Sequence, residues 1–93
     1  MPRRTMILIV CNNTLSKKEE YHTWCEELKD FLREQIVCYD EEYRIETPYV
    51  IINFVRAKPL FTGGYKFIFD LQEDLCKKEE CEKLLKLATG KDI

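Results

Sequence analysis

The first twenty residues of this 93-residue chain constrain its fold more than any other segment. Residues 6–11 (Met-Ile-Leu-Ile-Val-Cys) are continuously apolar, and a polar turn follows at residues 12–14. An apolar run of this length, bounded by turn residues, predicts a strand that is covered on both faces. Residues 16–19 (Ser-Lys-Lys-Glu) then have the spacing of a capping box, which predicts the start of a long amphipathic helix. A buried strand leading into a helix indicates an α/β fold, in which the turn between the two often carries chemistry.

The remaining pattern predicts one compact α/β (or α+β) domain over residues 1–93. Apolar and β-branched runs predict further strands, and apolar residues at three- and four-residue steps predict two helices. The predicted strands are 5–11, 36–39, 43–47, 49–55 and 65–71, and the predicted helices are 16–35 and 73–89. The order is predicted as β-α-β-β-β-α in a mixed sheet, with residues 36–47 left open as either two strands or one irregular segment.

The lengths of the connections predict how the strands pair. Residues 36–39 follow the first helix at once and are expected to run parallel to the first strand in a βαβ unit. Residues 43–47 alternate apolar and polar side chains and are expected to form an edge strand. Residues 65–71 are expected to form a hairpin with 49–55, because the loop between them is too short for a helical crossover.

Each predicted helix carries one apolar stripe. The stripe of the first helix consists of Tyr21, Trp24, Cys25, Leu28, Phe31 and Leu32, and that of the last consists of Leu75, Cys81, Leu84, Leu85 and Ala88. Asp70 and Glu73 have capping-box spacing and are expected to open the last helix. Gly90 is expected to close it, because glycine is the preferred residue after a helix end.

Charge is distributed unevenly along the chain. The net charge is −2, which disfavours direct binding to nucleic acid. Residues 17–46 contain ten acids and five bases, so this segment alone carries −5. The acids of the first predicted helix are either an ordinary solvated face or a contact surface for a positively charged partner. This first candidate surface comprises Glu19, Glu20, Glu26, Glu27, Asp30 and Glu34.

Cysteine content and hydropathy bear on the cellular setting. The chain has five cysteines, an odd number that cannot all pair within one molecule. We expect free thiols that behave as small buried hydrophobes in a reducing, cytoplasmic environment. No run of about 18 apolar residues is present, so no membrane partner is expected. The sequence has no glycine-rich phosphate loop and no cofactor is expected.

Four side chains have the chemistry of a zinc site, namely those of His22, Cys25, Cys76 and Cys81. His22 and Cys25 are three residues apart on one helix. Cys76 and Cys81 are five residues apart, which would direct them about 140° apart on a helix. The favoured interpretation is therefore that no metal binds, with Cys25 and Cys81 in the core and His22 exposed.

Cys11 is the candidate catalytic residue, because a thiol ahead of a helix N-terminus has a lowered pKa when it faces the helix dipole. Residues 7–11 resemble the opening of low-molecular-weight tyrosine phosphatases and of the cysteine-phosphorylated subunits of sugar phosphotransferase systems. That resemblance implies a small thiol enzyme or phosphocarrier. The phosphatase loop requires an arginine six positions after the cysteine, and this chain has Lys17 there, which cannot form the same bidentate contact.

The loop between the last two predicted strands is the second candidate binding surface. It places Leu60 and Phe61 between basic residues and is followed by the glycine pair 63–64. Apolar side chains exposed there would mark a contact surface. The alternative is that both side chains fold back over the edge of the sheet.

A wider resemblance guides the functional hypothesis. The strand–helix–strand opening, residues 44–54 and residues 67–70 together resemble a shortened nucleotide-hydrolase core without its phosphate loop, a form found among small phage and mobile-element proteins. The resemblance implies an accessory or inhibitory role, of an anti-defence or anti-CRISPR type, through binding another protein. We therefore expect a non-enzymatic module with a protein partner, for example a nucleic-acid-binding protein. The alternatives are the thiol chemistry of Cys11 and a homodimer.

Overall fold

The structure, a computed structural model, describes residues 4–57, 59–60, 63–71 and 78–90, with residues 78–80 described by their backbone alone. Its elements are β1 (Thr5–Cys11), α1 (Thr14–Leu32), a 3-10 turn (Arg33–Gln35), β2 (Val37–Tyr39), β3 (Arg44–Glu46), β4 (Val50–Val55), β5 (Phe67–Leu71) and α2 (Lys78–Thr89). The α/β class is confirmed. The order is β-α-β-β-β-β-α, because residues 36–47 contain two short strands rather than one segment.

The five strands form one mixed sheet in the order β2-β3-β4-β1-β5. β1 lies between β4 and β5 and runs parallel to both, whereas β3 is antiparallel to β2 and β4. The predicted hairpin between residues 49–55 and 65–71 is therefore wrong. The intervening residues 56–66 can reach about 36 Å when extended, which is enough to return along the sheet past β1 without a helix.

The order also corrects the positions of the two short strands. β2 runs in the same direction as β1, as predicted, but β3 and β4 lie between them. β2 is an edge of the sheet, and β3, which was predicted to be an edge strand, is enclosed by β2 and β4. The alternation of apolar and polar residues, which predicted an edge strand, instead reflects the two faces of β3. Ile45 is buried on one face, and its neighbours on the other face are half-buried.

The sheet has a face covered by the helices, which we call the helix side, and an opposite face, which we call the open face. Alternate residues of β1, β4 and β5 pack on the helix side against α1 and α2. This core comprises Ile7, Ile9, Cys11, Tyr21, Trp24, Cys25, Leu28, Ile45, Val50, Ile52, Phe54, Phe69, Leu71, Leu84 and Ala88. The Cα radius of gyration of 12.3 Å equals that expected of a compact domain of this length, about 12 Å.

β1 is buried on both faces, as its continuous apolar sequence predicted. Leu8 and Val10 are fully buried although they do not belong to the helix-side core. Tyr65, which precedes β5, lies on the same open face, where its hydroxyl accepts the amide N–H of Asn53 at 3.5 Å. This placement agrees with the usual right-handedness of parallel crossovers, because α1 lies on the opposite face of the sheet.

α1 begins earlier and ends earlier than predicted. Its N-cap is Asn13, whose side-chain oxygen accepts the backbone N–H of Ser16 at 2.8 Å, so Ser16 lies inside the helix rather than at its start. The regular helix ends at Leu32, and Arg33 turns the chain with a φ of 53°. Of the predicted stripe, residues 21, 24, 25 and 28 are buried, Leu32 is half-buried and Phe31 is exposed.

The C-terminal end of α2 is fixed by two contacts. Gly90 has a φ of +75° and donates its backbone N–H to the carbonyl of Leu87 at 3.3 Å, which confirms the predicted helix end. The buried hydroxyl of Thr47 donates to the carbonyl of Ala88 at 3.0 Å. The predicted N-cap, Asp70, is instead a residue of β5, while Glu73 and Leu75 lie outside the described residues.

Candidate functional site

The carboxyl ends of β1 and β4 meet at the point where an α/β sheet most often binds a ligand. These strands are adjacent and parallel, α1 follows β1 on the helix side, and Tyr65 of the connection after β4 lies on the open face. This arrangement is that of a topological switch point, a common place for ligands in α/β proteins. Cys11 ends β1 at this position, as the sequence predicted for a thiol site.

The side chain of Cys11 nevertheless points into the core. It is 1% exposed and packs on the helix side. Burial, with a smaller contribution from the Glu20 carboxylate, raises the pKa of Cys11 to about 11 despite the opposing effect of Lys17. The ammonium of Lys17 lies 4.2 Å from the centre of the Tyr43 ring. The thiol is therefore protonated near neutral pH, which is the reverse of what a thiol nucleophile requires.

The acids of α1 occupy the side of the helix that faces away from the sheet. Positions seven and eleven residues after Glu19 return to within about 20° of it on a helix of 3.6 residues per turn. Glu26 and Asp30 occupy those positions, Glu27 is beside them, and all four side chains are exposed. We call these four residues the acidic face. Exposed Glu34 continues it in the 3-10 turn.

Glu20 was predicted to belong to this set but lies at its boundary. Its side chain is half-buried. Burial raises the pKa of the Glu20 carboxyl, and a hydrogen bond with the Trp24 side chain opposes that effect. Glu20 is thus partly engaged within the molecule, and the outward surface consists of the other five acids.

The acidic face forms no ion pair within the described part of the chain. The ion pairs among the described residues lie elsewhere. Arg4 pairs with Glu46 at 2.6 Å, and Arg44 pairs with Glu42 at 2.8 Å and with Glu46 at 3.3 Å. All of these lie on or beside β3 rather than on α1. The carboxylates of the acidic face are therefore solvated and available to an external cation.

The second candidate surface lies on the other side of the sheet. Leu60 is 96% exposed, so it does not fold back over the sheet edge. Phe61, its predicted companion, lies outside the described residues. Leu60 and the acidic face belong to different elements, the first to the connection between β4 and β5 and the second to α1.

The candidate zinc ligands that lie within the described residues do not form a metal site. Among the described residues no group of three or more His, Cys, Asp or Glu side chains is placed to hold a metal. His22 is exposed and Cys25 is buried in the core, as the favoured interpretation of the sequence predicted. Cys81 is disulfide-bonded, contrary to the expectation of free thiols, so its sulfur is not a free ligand. Cys76 lies outside the described residues.

Sequence reasoning missed two features. Val37 and Tyr39 project from the edge strand β2 onto the open face, where they are 49% and 36% exposed. Cys38 points to the helix side and contacts Cys25 of α1. The predicted strand at residues 36–39 implies that side chains alternate between the two faces, but which face packs against α1 follows only from the pairing of β2 with β3. Arg44, whose guanidinium lies 4.4 Å from the centre of the Tyr39 ring, separates these apolar residues from the rest of the open face.

Comparison with known proteins adds no template, because no family model, curated protein or solved structure matches this chain. Within the described residues, no helix is long and apolar enough to cross a membrane. The surfaces of the chain itself are therefore the guide to its function.

Proposed function

We propose that this protein is a non-enzymatic binding module that docks onto another protein through the acidic face of α1. The observation that carries the proposal is the exposed row of Glu19, Glu26, Glu27 and Asp30, which has no ion-pair partner in the described part of the chain. At a rise of 1.5 Å per residue, the row is about 16 Å long. A rigid row of like charges attracts a surface of the opposite sign.

The partner that fits this surface is a basic protein groove of the kind that binds nucleic acid. Lysine and arginine side chains that normally contact phosphates would pair with the carboxylates. Occupation of the groove would then exclude nucleic acid from it. We infer an inhibitory or accessory role of this kind, of which inhibition of a defence nuclease by a phage or mobile-element protein is the clearest example.

The alternative thiol chemistry has less support. Cys11 lies at the switch point, but its side chain is buried and its pKa is raised rather than lowered. Lys17 replaces the arginine that a phosphatase loop requires, and its ammonium is placed against Tyr43.

A capture experiment with charge-matched variants tests the proposal. The bait is the tagged protein in a lysate of its source cell, and bound proteins are identified by mass spectrometry. Glu26→Lys/Asp30→Lys reverses two charges on the acidic face. Glu41→Lys/Glu82→Lys reverses two exposed charges elsewhere, so both variants change the net charge from −2 to +2.

The proposal predicts one stoichiometric partner that the wild type and the Glu41/Glu82 variant capture and the Glu26/Asp30 variant does not. The partner should be lost in about 1 M salt, where the Debye length falls to about 3 Å. A partner that all three proteins retain at high salt would instead assign binding to the loop at Leu60. Absence of any partner would contradict the binding module and favour self-association, which light scattering detects.

A further inference from the structure

Two free thiols from different elements meet where the edge strand of the sheet packs under α1. Cys25 is on the buried stripe of α1, and Cys38 is the middle residue of β2. Cys38 is paired in register with the fully buried Ile45, so its side chain points to the helix side, while Val37 and Tyr39 point to the open face. Cys25 belongs to the helix-side core, and Cys38 packs against that core, where its side chain helps to raise the pKa of Cys25.

Neighbouring contacts hold this pair in place. One turn before Cys25, the Tyr21 hydroxyl donates to a carboxylate oxygen of Asp40 at 2.7 Å, directly after the end of β2. The Tyr21 ring also packs edge-on against Tyr43 at a centroid distance of 5.4 Å. These contacts fix the turn after β2 against α1, and they keep Cys38 of β2 on the side of the sheet that Cys25 faces.

We propose that Cys25 and Cys38 form a redox-responsive pair, in which oxidation by a small-molecule disulfide such as oxidised glutathione links α1 covalently to the edge strand β2. The proposal is independent of the binding function proposed above. It concerns a contact within the molecule, and it holds or fails whether or not the acidic face binds a partner.

The reaction has two balanced steps. The Cys38 thiolate attacks one sulfur of oxidised glutathione, which forms a mixed disulfide and releases one glutathione thiol. Cys25 then loses its proton and attacks the Cys38 sulfur, which forms the Cys25–Cys38 bond and releases the second glutathione thiol. The two protein thiols lose two protons and two electrons, and one glutathione disulfide is reduced to two thiols.

Accessibility assigns the order of these steps. Cys38 is half-buried on an edge strand, whereas Cys25 and Cys11 are buried. Burial, followed by the hydrogen bond with Cys38, raises the pKa of Cys25 to about 12. Cys38 is therefore the thiol that an external oxidant reaches first, and Cys25 is the resolving thiol.

The test is oxidation of the full chain by oxidised glutathione, followed by alkylation of the remaining thiols and peptide mapping by mass spectrometry. We expect a peptide in which residues 25 and 38 are linked, with Cys11 recovered as the alkylated thiol. Dithiothreitol should reverse the link. In urea the same treatment should give mixed cysteine pairings, because the fold no longer holds the two thiols together.

Variants separate this chemistry from general oxidation. Cys25→Ala should stop the reaction at the first step and accumulate glutathione on Cys38, whereas Cys38→Ala should prevent both products. Cys11→Ala is the matched control and should form the link as the wild type does. Failure of the native wild-type chain to form the Cys25–Cys38 link, or formation of other pairings at the same rate, would overturn the proposal.

Discussion

At the scale of single residues, the hydroxyl of Thr47 joins the end of α2 to the turn before β4 and to the first residue of β4. It donates to the carbonyl of Ala88 and accepts the backbone N–H groups of Tyr49 and Val50 at 3.2 and 3.1 Å. Thr47→Val keeps the shape of the side chain but leaves these buried groups without their partner. We expect a loss of about 1–3 kcal/mol in the free energy of unfolding, measured by urea denaturation.

The control for this loss is Thr23→Val, which makes the same change at an exposed position of α1. Its effect should stay within about 0.5 kcal/mol. Equal effects of the two substitutions would show that the hydroxyl of Thr47 does not bridge α2 and β4.

The buried thiol of Cys11 predicts a loss of stability at alkaline pH. Its pKa is about 11 in the folded protein and 9.0 in the reference state. Above pH 9 the unfolded chain therefore releases a proton that the folded chain retains, so the free energy of unfolding falls as the pH rises from about 9 to 11. In Cys11→Ala this decrease should be smaller, as measured by urea denaturation at several pH values.

Alkylation by iodoacetamide gives an independent check on Cys11. The wild-type thiol should react slowly at neutral pH, with a rate that rises toward pH 11. A midpoint below the ordinary value of about 8.5 would restore the hypothesis of a thiol enzyme or phosphocarrier.

At the scale of elements, the end of α2 depends on the backbone conformation of Gly90. Its φ of +75° disfavours any side chain, and a Cβ there would lie 2.6 Å from the Tyr49 ring. Gly90→Ala should lower the free energy of unfolding by at least about 1 kcal/mol. Gly64→Ala is the matched control, because a Cβ at Gly64 meets nothing within 4 Å. Thermal denaturation of both variants measures the difference, and equal melting temperatures would contradict the account of this helix end.

The helices and strands were largely predictable, because each is specified by the spacing of apolar residues within its own segment. The three- and four-residue spacing of Tyr21, Trp24 and Leu28 is a property of one helix, so the structure confirms that α1 is buried along this stripe. The ends of α1 were harder to predict. Asn13 rather than Ser16 caps the helix, and Arg33 turns the chain with a positive φ although no glycine marks that position.

At the scale of the whole molecule, the order of the strands could not be read from connection lengths. A short loop suggested a hairpin, but β1 lies between β4 and β5. The pairing of β1 with both neighbours buries its apolar side chains on both faces, which a β4–β5 hairpin would not require. The sequence also placed Cys11 correctly at the end of β1, but it did not indicate whether the thiol points toward solvent or into the core.

The two surfaces that the sequence offered for binding belong to different elements. The acidic face lies on α1, and Leu60, whose side chain is 96% exposed, lies in the connection between β4 and β5. Charge reversal on α1 is therefore a clean test of the acidic face, since it leaves Leu60 unchanged.

The most direct test of the central claim is the dissociation constant of the purified complex at low salt. In about 0.01 M salt, where the Debye length is about 30 Å, surface electrostatics contribute most. We predict that Glu26→Lys/Asp30→Lys weakens binding about tenfold or more, a cost of about 1.4 kcal/mol. Glu41→Lys/Glu82→Lys, which has the same net charge, should bind as the wild type does. Equal affinities of the two variants would contradict the assignment of the acidic face as the binding surface.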